Sequence, residues 1–194
     1  MSDHRENEAT RRDVLRSIAL AATLGGVEPA VAQHVHQAAA NEKATTGKYT
    51  PKLFQEGEWK SLGALAEIIC PGAVKASAPE YIDLLCSSNP ALGAMWTGGL
   101  AWMTGKLGKP FHEATAAEQT ALLDKIAFRK NSSPELDPGI KFFETARFMV
   151  IDGYYTSPAG VAEIGYKGNV GVSEFKVPQE AIDYALKRSP FANG

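Results

Sequence analysis

From Trp59 to Ile151 the apolar residues recur at three- and four-residue spacing, and nowhere does a sustained alternation of apolar and polar residues mark a strand. A chain with only the helical period available has to bury the apolar faces of helices against one another. The pattern predicts a mainly α fold, an irregular single-domain bundle of about five to seven helices with no substantial sheet.

The first helix carries Trp59, Leu62, Leu65, Ala66 and Ile69 on one face and ends at Pro71-Gly72. Pro79 opens a second with Tyr81, Ile82, Leu84 and Leu85, and Asn89-Pro90 starts a third through Trp96 and Trp102 to Gly108. Thr115 and Glu118 have the spacing of a capping box, so a fourth helix follows through Leu122, Leu123, Ile126 and Phe128. A fifth, more apolar helix contains Ile140, Phe142, Phe143, Ala146, Phe148, Met149 and Ile151 and is expected to be central. Ser157 and Pro158 are placed to cap and begin a short helix. A thin apolar face with Ile182, Tyr184 and Leu186 suggests a terminal one over Val177 to Lys187.

The N-terminal residues read as an address. Arg11 and Arg12 precede Val14 and Leu15 and then a mildly apolar stretch from Ser17 to Val27, the pattern of a twin-arginine export signal. That stretch is well short of the ~20 apolar residues that span a bilayer. Ala30 and Ala32 supply the small residues read by a signal peptidase, which puts the expected cleavage after Ala32. Residues 1–32 are therefore expected to be a signal peptide, 33–50 a flexible, Ala-rich lead-in, and 51–194 the helical domain. The expected location is the periplasm, with no direct membrane span.

Little in the chain suggests chemistry. With 44% hydrophobic and 22% charged residues and a formal charge of −2, it lacks the basic block that nucleic acid would require. It contains no dinucleotide fingerprint, phosphate-binding loop or nucleophile elbow. Asp83, Glu144, Asp152 and Glu163 show no spacing that sets them apart from helix-surface charges. His34 and His36 form a His-x-His pair in the lead-in, and His112 stands alone before the capped helix. Cys70 and Cys86 could form a disulfide in an oxidising compartment or remain buried free thiols. The stretch from Gly153 to Asn169, with three tyrosines and four glycines, suits either a clamped loop or a partner surface. Its candidate interface residues are Tyr154, Tyr155, Ser157, Pro158, Gly160, Tyr166, Gly168 and Asn169.

Three blocks, Leu65 to Ala73, Ala78 to Asp83, and Gly153 to Gly160 continuing through Gly165 to Asn169, resemble the gluconate 2-dehydrogenase subunit 3 family. The resemblance implies the small subunit of a membrane-associated complex that oxidises gluconate, fructose, glucose or the C3 hydroxyl of glucosides. FAD would sit in a large subunit of the glucose-methanol-choline type, and haem c in a multihaem cytochrome c subunit. The small subunit would carry the twin-arginine signal for both itself and the large subunit, and no catalytic activity, cofactor or metal is expected of it alone. The competing reading is a free-standing periplasmic enzyme or metal-binding protein that uses His34, His36 and His112.

Overall fold

The computed structural model describes residues 29–166 and 176–188. Eight α-helices are present among them, with no strand. They are α1 (Pro29–Thr46), α2 (Glu56–Ile69), α3 (Ala78–Ser88), α4 (Pro90–Leu107), α5 (Ala116–Ile126), α6 (Asp137–Tyr155), α7 (Pro158–Glu163) and α8 (Gln179–Arg188). The mainly α expectation holds, and the helix count exceeds the expected range because of α1.

Local chemistry sets most of the boundaries. Asn89 Oδ1 accepts from the Leu92 N–H at the start of α4, and Gly108, at φ 70°, ends that helix in the left-handed region that glycine adopts without strain. Thr115 and Glu118 form the capping box: the Glu118 carboxylate accepts from the Thr115 N–H at 2.8 Å, and Thr115 Oγ1 accepts from the Glu118 N–H. Pro138 sits in the first turn of α6 and Pro158 in that of α7, where no helical hydrogen bond is lost.

One unit ends at Ile164. In it α6 is the central helix, as its composition suggested, and packs against α2, α3, α4, α5 and α7. Trp96 of α4 is fully buried between Phe142 and Met149: its ring meets Phe142 edge-on at 5.3 Å, and its indole N–H points at the Met149 sulfur. Gly99 makes this crossing close, since a Cβ there would lie 2.0 Å from the Phe142 ring. The second unit begins at Gly165 and contains α8, none of whose side chains is buried.

Two expectations need correcting. The lead-in is not flexible chain: residues through Thr46 form α1, which packs Ala32, Val35, His36 and Ala39 against the body and lies along α3. Those positions share one helical face, but three alanine- or valine-sized side chains and a histidine are too weakly apolar to stand out as a hydrophobic period. Phe128 is not part of the inner face of α5; the helix ends at Ile126 and Phe128 is more than half exposed.

The later part of the link from α1 to α2 is held by a buried carboxylate on α3. Asp83 of α3 accepts from the Tyr49 hydroxyl at 2.7 Å and from the backbone N–H groups of Lys52, Leu53 and Phe54 at 2.6, 3.0 and 3.3 Å. Without Asp83 the N–H of buried Phe54 and the part-buried donors beside it would lose their partner. Asp83→Ala is expected to cost about 3 kcal/mol in urea unfolding, with Asp83→Asn intermediate because its amide keeps one acceptor oxygen. A loss below about 1 kcal/mol for Asp83→Ala would contradict this role.

Candidate functional site

The segment Gly153 to Gly160 forms an elbow between α6 and α7, and its residues divide by direction. Ser157 is fully buried and caps α7: its Oγ accepts from the Gly160 N–H at 3.1 Å and donates to the Tyr154 carbonyl at 2.6 Å. Gly160 is buried where a Cβ would lie 2.2 Å from the Tyr154 carbonyl oxygen. These two residues build the elbow and present no side chain to a partner. Tyr155 and Pro158 face outward, and Tyr154 is half-buried over Gly72, with its ring edge-on to Tyr155 at 5.0 Å. The Tyr154 hydroxyl donates to Glu163, which pushes its pKa up to about 12. Tyr166 is exposed in the second unit, while Gly168 and Asn169 lie outside the described residues, as do Arg11 and Arg12.

Above the elbow, α6 turns a second apolar face outward. Phe148, Ile151 and Tyr155 follow one another at three- and four-residue spacing and are 50%, 40% and 40% exposed. In the sequence Phe148 and Ile151 stand in one apolar run with Phe142 and Met149, since an apolar residue on a helix announces no direction until the neighbours are known. Beside this face a shallow cavity of about 300 Å³ opens between α2, α5 and α6, lined by the apolar Ile68, Ile69, Leu123, Ala127 and Phe143 and by the polar Thr120, Asp124 and Arg147. Ile68 is itself 42% exposed. Phe148, Ile151, Tyr155 and Ile68 thus leave large apolar side chains partly open to solvent.

On the other side of the elbow a cavity of about 560 Å³ separates α1 from Lys75, Ala76 and Ser77 and from Thr156 to Ala159. His36 forms part of its wall. The imidazole stacks on Tyr81 at 4.9 Å, and Nε2 lies 3.1 Å from Thr156 Oγ1. Burial lowers the His36 pKa to about 4. Tyr81 in turn donates to Asp152 at 2.6 Å, and burial raises the pKa of that carboxyl. Lys43 of α1 spans the edge, bonded to Ser77 Oγ at 2.9 Å and paired with Glu80.

The histidines do not converge. His36 is engaged with Thr156, and the Nδ1 of His112 lies 3.0 Å from Ser61 Oγ on α2, while His34 is exposed on α1. Among the described residues no group of three or more His, Cys, Asp or Glu could hold a metal ion, so the three-histidine site of the competing reading does not form. The acidic residues that might have paired are separately occupied: Asp83 with backbone donors, Asp152 with Tyr81, Glu144 with Arg129 and Glu163 with Tyr154. Cys70 and Cys86 are free thiols; Cys86 is buried inside α3, which pushes its pKa up. No helix among the described residues is long and apolar enough to cross a membrane.

The family model described as gluconate 2-dehydrogenase subunit 3 matches residues 56–172, more than half of the chain, and the chain belongs to that family. The match starts at the first residue of α2 and leaves α1 and α8 outside it. Comparison with curated proteins and with solved structures gives no match.

A buried neutral histidine makes stability depend on pH in a defined direction. The folded pKa is lowered, so the fold disfavours the proton that the unfolded chain takes up near pH 6.5. The contribution of His36 is complete above about pH 6.5 and is lost as pH falls toward 4, by up to about 3 kcal/mol. Urea unfolding at pH 7 and pH 4.5 should show this share of the acid sensitivity vanish in His36→Phe, which keeps the ring on Tyr81. Equal acid sensitivity in both proteins would remove His36 as its source.

Proposed function

We propose that this chain is the non-catalytic small subunit of a periplasmic FAD-dependent sugar dehydrogenase complex, and that it supplies the export signal and escorts the large subunit. The carrying observation is the family match over residues 56–172, which makes the chain a subunit of the gluconate 2-dehydrogenase subunit 3 type. In the proposed complex the flavin belongs to a partner of the glucose-methanol-choline type, and a multihaem cytochrome c receives the electrons. The twin-arginine machinery engages Arg11 and Arg12, and the cargo crosses already folded.

One surface feature supports the escort reading. The outer face of α6, with Phe148, Ile151 and Tyr155, lies beside the cavity that Ile68 lines and ends at the elbow, where Tyr155 is open to contact. We place the large subunit on this face. Covering it buries apolar surface at roughly 25 cal/mol per Å², and a subunit that binds only the folded, flavin-loaded partner shifts that partner's folding equilibrium toward the loaded form. The inward fixing of Ser157 and Gly160 keeps the elbow rigid, so little order has to be created on binding.

Expressing the large subunit with this chain, without it, and with the Arg11→Lys/Arg12→Lys variant tests the proposal. Periplasmic dehydrogenase activity is expected in the first case only, with the variant leaving the complex in the cytoplasm. Equal periplasmic activity in all three would end the escort reading.

A further inference from the structure

Helix α1 lies where a leader peptide would be trimmed, yet it is a working part of the body. Ala32 is 0% exposed, Val35 1%, His36 8% and Ala39 1%, a single face at positions i, i+3, i+4 and i+7. Polar contacts hold the helix along its length. Near its start His36 meets Thr156 of the elbow, and further on Lys43 reaches Ser77 and Glu80 of α3. At its end the Glu42 carboxylate accepts from the Thr50 N–H and from Lys52. The small-x-small pair that marks a cleavage site, Ala30 and Ala32, falls inside the first turn of this helix.

A peptidase takes its substrate as extended chain on both sides of the scissile bond. To present the Ala32–Gln33 bond that way, the first turn has to unwind, Ala32 has to leave the core, and Val35 and His36 have to be lifted off α3 and the elbow. Fraying of the first turn is easy, since its N–H groups have no helical acceptors. Undocking Val35 and His36 is a different event: it exposes apolar surface and breaks the His36–Thr156 contact.

We infer that the folded protein keeps α1 and closes the Ala30–Ala32 site, so that any processing of the N-terminus falls before Pro29. This rests on the proposed twin-arginine export, in which the peptidase meets a body that has already folded. The order of events is what matters: a chain threaded unfolded would offer the bond before α1 could dock, and a chain that folds first does not. The docked helix then links whatever precedes Pro29 directly to the elbow that α6 and α7 form, on the body that is proposed to carry the large subunit.

The test has two arms. In the first, the complex is recovered from the periplasm of cells expressing both subunits, and the intact mass of this chain is measured. A mass that includes Pro29 to Ala32 is expected, and an N-terminus at Gln33 would overturn the inference. In the second, the purified full chain and a free peptide spanning residues 27–42 are each treated with an elastase-type protease that cuts after alanine. Cleavage at Ala32–Gln33 is expected to be at least about tenfold slower in the folded chain than in the peptide, because it waits on undocking. Equal rates would overturn the inference whether or not the protein is exported. A chain found only in the cytoplasm would sink the export proposal instead and leave this second comparison to decide the protection of α1.

Discussion

The buried Asp83 carboxylate of the third helix ties the link between the first two helices to the body of the protein. Between α1 and α2 the chain runs through Gly47 to Gln55 without regular structure, so its backbone donors need partners from elsewhere. Asp83 provides them, taking three consecutive N–H groups and the Tyr49 hydroxyl. Such a nest of amides can hold an anion without a neighbouring cation. Because α3 also lies against α1, α2, α4 and α6, fixing the link to α3 sets the position of the first two helices relative to the rest.

Much of the helical framework could be read from residue spacing alone. The caps at Asn89, Thr115 and Ser157 are local devices whose partners lie within three residues, and all three form. The central place of α6 followed from its apolar content. What escaped the sequence depends on neighbours far along the chain. Asp83 looked like any helix-surface acid because its donors come from about thirty residues upstream. The face of α1 was missed because alanine contributes little hydrophobic signal, although the same residue has the highest helix propensity. Phe148 and Ile151 were grouped with Phe142 and Met149, yet the helical turn sends them to opposite sides.

The candidate site was legible in part. The glycines and tyrosines after Gly153 do mark an unusual structure, but the structure separates their tasks: Ser157 and Gly160 make the elbow, while Tyr155 and Pro158 face solvent. The outer face of α6 became visible only once its inner face had been identified. The three histidines, which share a ligand-forming residue type, sit in unrelated surroundings. Placing them in one site required proximity that the fold does not provide.

Membership of the gluconate 2-dehydrogenase subunit 3 family fits a body whose conspicuous surface feature is apolar and outward-facing. The central claim is that this body acts by holding a flavoprotein on the outer face of α6. The most direct measurement is co-purification of the large subunit through a tag on this chain, comparing the native chain with the Phe148→Glu/Ile151→Glu variant. Both side chains are already substantially exposed, so the variant should unfold within about 0.5 kcal/mol of the native protein. The account predicts that the native chain retains flavin-loaded partner in fixed ratio and that the variant retains at least about tenfold less. Undiminished retention by the variant, or a native chain that purifies alone with turnover of its own, would contradict it.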